Sequence, residues 1–292
     1  MSGRQCCENP PVLSSSCGVG LEEEIGGLKC YVIGFPDSKP ALVLASDIFA
    51  MLADILISQL RFANYPISKE LADKVAAFGF YVVVPDFFYG DPYIENLERP
   101  LLVYMRDHLP DKGFEDAKQV IEALKCKGIS SIGAAGFCWG AKVVVELAKY
   151  AYIQATVLLH PSFVSWQDVQ AIEVPISILG AEINPISPPQ LLKKFAEVLK
   201  AKPESVIFSF LDLLRSTENS TDSEKGLSIA PAACRPETPF LPISGIPGSD
   251  TIFFPGARHG WTVRYKDEDA VAVKLADEAH KDMVDWFVKY VQ

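Results

Sequence analysis

Residues 136–140 read Gly-Phe-Cys-Trp-Gly, a glycine-x-nucleophile-x-glycine turn with sulfur at its centre. The turn lies between an apolar run, Ser131–Phe137, and a segment of helical spacing, Ala141–Tyr150. A strand that turns sharply into a helix needs glycine on both flanks, because the bend is tight and the helix packs close to the strand. The central side chain then projects at the mouth of the sheet, over the positive end of the helix, where a thiol gives up its proton more readily. This predicts Cys138 as a nucleophile for acyl chemistry. The competing reading is a small buried side chain in a glycine-rich turn; the strand–turn–helix context favours the nucleophile.

A cysteine nucleophile needs a base, and the chain has four histidines. His108 lies in a proline-bounded loop and His280 on the polar face of the last helical segment, so both are expected in solvent. His160 ends the strand after the nucleophile's helix, where a structural or substrate-contact role is expected. His259, in Ala257-Arg258-His259-Gly260-Trp261, follows the last short strand and is the predicted base.

The elements that must hold these groups alternate. Leu28–Ile33, Ala41–Ala45, Phe80–Val84, Ser131–Phe137, Ala155–His160, Val174–Leu179 and Thr251–Phe254 read as strands. Leu71–Phe78, Phe114–Lys125, Ala141–Tyr150, Pro189–Lys200 and Val271–Tyr290 read as helices. Near-continuous apolar strands separated by helices predict an α/β fold with a mostly parallel sheet covered on both faces, and a site at the carboxyl ends of its strands. Residues 1–292 are expected to form one domain with two atypical insertions. The first, about 50–69, has Leu52, Ile55, Leu56 and Leu60 at helical spacing and is predicted to be helical. The second, about 209–250, is rich in serine and proline and is predicted to be disordered. It enters just ahead of the strand that positions His259, where a 1 Å error costs about 10²-fold in rate. Both stretches begin and end abruptly, as a mispredicted or alternative exon boundary would leave them.

With 292 residues, 49% hydrophobic and 22% charged, the chain has ordinary globular composition. A net charge of −10 argues against a nucleic-acid partner. No apolar run approaches the roughly 18–20 residues that span a bilayer, so no membrane partner is expected. The start, Met1-Ser2-Gly3-Arg4-Gln5, lacks an apolar leader, so a cytoplasmic location with reduced cysteines is expected. Neither a CxxC pair nor an HExxH helix occurs, so no metal site is expected.

The elbow Gly136-Phe137-Cys138-Trp139-Gly140, with Pro85-Asp86-Phe87-Phe88 and His259-Gly260-Trp261, resembles the dienelactone hydrolase family, most strongly its plant cytosolic branch. The likeness covers roughly residues 1–49, 70–207 and 252–292. It implies the α/β-hydrolase fold, the chain order nucleophile, acid, histidine, and cofactor-free hydrolysis of small esters or lactones by a Cys-His-Asp triad. The acid's place is taken by Asn184. An asparagine orients an imidazole by accepting its N–H but brings no charge; the same change in a serine triad lowers kcat about 10⁴-fold, while a cysteine, already partly thiolate, needs less help. Glu182 is the alternative acid. Asp47 stands where the family has a carboxylate, usually glutamate, that contacts the resting thiol. The backbone N–H groups of Ile48 and Trp139 are the implied oxyanion hole, with Ala50 in place of a typical glycine. Arg264 resembles the family's substrate-carboxylate arginine, and Trp261 and Tyr89 are candidates to line the pocket. A weakly active or non-catalytic small-molecule-binding protein is the second reading, suggested by Asn184, Ala50 and the insertions. A β-glucan hydrolase is the third: some plant relatives carry a β-glucanase name, and Asp47 and Asp86 both follow strands, though no pair of carboxylates is marked by spacing. The oligomeric state stays open.

Overall fold

The computed structural model describes residues 20–38, 40–49, 67–94, 99–202, 249–266 and 268–292. Ala50, the predicted helix over 51–66 and nearly all of the predicted disordered stretch therefore lie outside the described residues. The remaining ends of the two insertions belong to the fold itself, 67–69 to a helix and 249–250 to a strand.

Eight strands form one sheet. They are β1 (Leu21–Ile25), β2 (Leu28–Ile33), β3 (Pro40–Ala45), β4 (Tyr81–Pro85), β5 (Ser131–Phe137), β6 (Ala155–Leu159), β7 (Ile176–Ile183) and β8 (Ser249–Arg258). The helices are α1 (Ile67–Ala76), α2 (Leu101–Asp107), α3 (Pro110–Cys126), α4 (Trp139–Lys149), α5 (Trp166–Ala171), α6 (Pro189–Lys200) and α7 (Ala270–Tyr290). Strand order is β1-β2-β4-β3-β5-β6-β7-β8; β1/β2 and β2/β4 are antiparallel and every later pair is parallel.

The uninterrupted apolar strands are explained by burial on both faces. Along β3, Ala41, Val43 and Ala45 pack with α3, α4, α5 and α6, whereas Leu42 and Leu44 pack with α1 and α7. Gly133 in β5 is required by this packing: a Cβ there would stand 2.8 Å from Leu42 and from Phe287 of α7. Three elements are not foreseen by periodicity. β1, Leu-Glu-Glu-Glu-Ile, looks like a charge run, but its glutamates pair across to Lys29 at 3.0 Å and Lys127 at 2.9 Å. α2 and α5 are only 7 and 6 residues long. α5 is set by a capping box in which Ser165 and Asp168 satisfy each other's backbone.

Candidate active site

Cys138 joins β5 to α4 with φ 52° and ψ −107°. That backbone is disfavoured for any side chain by about 1–3 kcal/mol and persists only where its surroundings enforce it. Both flanking glycines are sterically required. A Cβ on Gly140 would sit 2.0 Å from the Ala45 carbonyl oxygen, and one on Gly136 2.5 Å from that of Gly140. The first turn of α4 thus rests on the end of β3, so the loop Ser46–Phe49 runs beside the elbow. The register Ala45↔Gly136 fixes the same juxtaposition. Cys138 is buried, as are Ile48 and Trp139. The Trp139 indole packs on Phe87 and Phe88 and donates to the His108 carbonyl at 2.9 Å.

The turn after β6 reaches the elbow from the other side. The Cys138 N–H donates to Leu159 O at 3.1 Å, the Ser162 N–H donates to Cys138 O at 2.9 Å, and Ser162 Oγ lies 3.3 Å from Cys138 Sγ. Ser162 is fully buried. Sequence reasoning missed it; its only signal is a hydroxyl just past a strand's carboxyl end.

His259 leaves β8 beside Asn184 at the end of β7: Ile183 pairs with Arg258, and the His259 N–H donates to Ile183 O at 3.3 Å. The ring is 2% exposed, and neither ring nitrogen has a hydrogen-bond partner among the described residues. Buried polar atoms normally have one, so the two ring nitrogens stand out from the rest of the buried polar groups. Its neighbour is His160, with ring centroids 5.0 Å apart. His160 Nε2 is 2.8 Å from Thr262 Oγ1. Burial, reinforced by the nearby His259 and Arg264, holds the His160 pKa well below the ordinary histidine range, so it stays neutral. Trp261 packs against Phe254 and His160 at centroid distances of 5.2 and 5.4 Å.

The other expected residues are placed as follows. Asn184 is buried, but its Oδ1 accepts from the Ile186 and Ser187 N–H groups at 3.1 and 3.2 Å; Nδ2 is left buried with no partner among the described residues. Glu182 is exposed and accepts from the Gly256 N–H at 2.7 Å. Asp47 and Arg264 are brought together with each other: Arg264 Nε is 2.7 Å from Asp47 Oδ2, with the guanidinium 4.5 Å over the Phe49 ring. The other Asp47 oxygen accepts from the Phe49 N–H at 3.0 Å. Tyr89 is 52% exposed and its hydroxyl donates to Asp116 of α3 at 2.7 Å.

Asp86 is buried with its carboxylate on the Phe88 and Gly90 N–H groups, and burial raises its pKa. His108 and His280, expected in solvent, are both buried. His108 Nε2 meets Asp91 at 2.9 Å, and His280 Nε2 donates to the Thr262 carbonyl at 2.8 Å. Cys30 and Cys138 are in no disulfide, whereas Cys126 is disulfide-bonded, so the expectation of uniformly reduced cysteines does not hold there. Burial pushes Cys30 up to about 12, which makes it an inert core residue. Among the described residues, no group of three or more His, Cys, Asp or Glu side chains is placed to hold a metal ion, and no helix is long and apolar enough to cross a membrane.

Residues 39–215, more than half of the chain, match the model of the dienelactone hydrolase family. The chain belongs to this family. A maize protein named endo-1,3;1,4-beta-D-glucanase is 36% identical to this chain over 206 residues, which are 68% of this chain and 63% of that protein. The match thus spans less than two thirds of the maize relative's length. A mouse carboxymethylenebutenolidase homolog is 23% identical over 94% of this chain and 92% of its own. Among solved structures, a putative dienelactone hydrolase from Klebsiella pneumoniae superposes with a TM-score of 0.60 at 12% identity, covering 93% of this chain and 99% of that one. The dienelactone hydrolase-like promiscuous phosphotriesterase P91 from metagenomic libraries superposes at 0.54, with 16% identity over 94% and 100%. These likenesses establish an α/β-hydrolase fold within a family of hydrolases.

Proposed function

We propose that this protein hydrolyses small carboxylic esters or lactones with Cys138 as nucleophile. The observation that carries the reading is the strained Cys138 backbone, φ 52°, held between two glycines that admit no side chain. Strain of this kind is kept where it aims a reacting group. In the mechanism, His259 takes the thiol proton as Sγ adds to the substrate carbonyl, and the backbone N–H groups of Ile48 and Trp139 receive the oxyanion. The tetrahedral adduct collapses to a thioester as His259 protonates the leaving alkoxide. Water, deprotonated by His259, then releases the acid and regenerates the thiol. Asn184, expected to orient His259, has its Oδ1 held by the Ile186 and Ser187 N–H groups, so this reading assigns it no hydrogen bond to the ring in the resting protein, and no cofactor takes part.

A chromogenic acetate ester tests this. Turnover by the wild type that is lost in Cys138→Ala supports the reading; turnover that survives the substitution refutes it. No turnover at all, with a small molecule bound, favours the non-catalytic binding protein, which the spent Asn184 oxygen also supports.

The maize relative's name favours a second reading, a β-glucan hydrolase. That chemistry wants two carboxylates across the scissile bond, and both candidates here are engaged: Asp47 with Arg264, Asp86 with its own turn. Release of reducing sugar from a mixed-linkage glucan, surviving Cys138→Ala but not Asp47→Asn, would install this reading instead.

A further inference from the structure

The turn His160-Pro161-Ser162 touches the loops that carry Cys138, Asn184 and His259. Ser162 reaches the nucleophile through its own N–H and its hydroxyl. The Pro161 carbonyl accepts from Ser187 Oγ at 2.7 Å, in the loop that follows Asn184. His160 meets Thr262, three residues past His259, at 2.8 Å. His160 itself takes a left-handed backbone, φ 39°, which turns the chain back onto the elbow. Anchored at both flanks, the turn leaves the Ser162 hydroxyl little choice of position.

We propose that Ser162 is the positioning residue of the nucleophile, a reading that rests on Cys138 being that nucleophile. Its oxygen lies 3.3 Å from the thiol sulfur, and in this role it accepts the S–H of the resting protein. When the proton leaves for His259, the hydroxyl turns about its C–O bond and donates O–H to the sulfur anion. No proton is gained or lost by Ser162: it exchanges an accepted hydrogen bond for a donated one as the sulfur changes charge. Asp47, the carboxylate expected at the thiol, is held by Arg264 and the Phe49 N–H. A neutral hydroxyl suits the thiolate better than a carboxylate, which would repel it.

The test is the rate of Cys138 alkylation by iodoacetamide between pH 5 and 9, followed on the Cys138 peptide by mass spectrometry, with ester turnover in parallel. A hydrogen bond donated to a charged atom is worth about tenfold or more. In Ser162→Ala the titration midpoint should therefore rise by about one pH unit and alkylation at pH 6 fall about tenfold. The kcat should fall at least as much with KM little changed. Ser162→Thr, which keeps a hydroxyl, should restore most of both. A Ser162→Ala midpoint and kcat equal to wild type overturn the proposal, as does a wild-type Cys138 that resists alkylation throughout. If Ser162→Ala does not fold by circular dichroism, Ser162→Gly removes the same hydroxyl and is read the same way. Ester turnover surviving Cys138→Ala would overturn the nucleophile and this role together; turnover lost there, with an unmoved Ser162→Ala midpoint, overturns the role of Ser162 alone.

Discussion

Replacing Asn184 by aspartate should raise the activity of this protein, an unusual direction for a change at a buried site. The two side chains are nearly identical in shape, and the buried Oδ1 would go on accepting the Ile186 and Ser187 N–H groups at 3.1 and 3.2 Å. Those two donors also favour the ionised carboxylate. What changes is the second atom: Nδ2, a donor with no partner among the described residues, becomes an acceptor oxygen on the strand end that pairs with the one leading to His259, whose ring nitrogens are equally unmatched. An N–H of His259 then has a charged acceptor, and the imidazolium formed during attack gains a counterion. A charge-assisted hydrogen bond contributes about 1.5–3 kcal/mol, which converts to a rise of roughly 10- to 150-fold in kcat/KM. The ceiling is the ~10⁴-fold cost of the reverse change in a serine triad. The assay is turnover of a chromogenic acetate ester at pH 7, with circular dichroism to verify the fold. A folded Asn184→Asp protein with unchanged or lower kcat/KM would refute the idea that this position serves His259.

Further outcomes follow from other contacts. Asp47→Ala takes the carboxylate from the buried Arg264 guanidinium and should lower stability by about 3–5 kcal/mol, seen as an earlier urea midpoint; an unchanged midpoint would mean the pair is not closed in solution. Gly140→Ala forces a methyl 2.0 Å from the Ala45 carbonyl and should give insoluble or inactive protein; a soluble, active variant would show that the elbow is not packed as described. His280 has its pKa pushed down to about 4 by burial, against an unfolded value near 6.5. Its neutral form therefore stabilises the fold fully above pH 6.5, and that contribution is lost as pH falls toward 4, by about 3 kcal/mol. Thermal melts from pH 7 to 4 should show this slope reduced in His280→Gln, and an identical slope would exclude His280 as its source.

The strands and the elbow were legible because their signals are local. A run such as Ser131–Phe137 can only be buried on both faces, and glycine at 136 and 140 announces a close approach before any contact is known. The helices found by periodicity differ from those observed by a few residues at most, since their apolar stripes face one sheet. Partnerships across long separations were not legible. Asp47 and Arg264 were each assigned a separate task, yet they are 217 residues apart in the chain and meet each other. The signal of Ser162, a hydroxyl just past a strand, is too common to single it out until β6 is seen to lie next to β5. His108 and His280 were misplaced for a related reason: a polar residue in a polar stretch reads as solvated unless its acceptor, here Asp91 or the Thr262 carbonyl, is known.

The parallel pairing of the last two strands has a consequence for the long stretch that precedes β8. Ser249 is paired with Ile176, so the chain re-enters the sheet at the amino end of β7, while His259 stands at the far end of a ten-residue strand. At about 3.3 Å per residue that places some 30 Å between the re-entry point and the imidazole. The point at which that stretch joins the sheet is therefore remote from the imidazole. Phe49, which precedes the other atypical stretch, has no such distance to spare, for its ring lies under Arg264, the partner of Asp47.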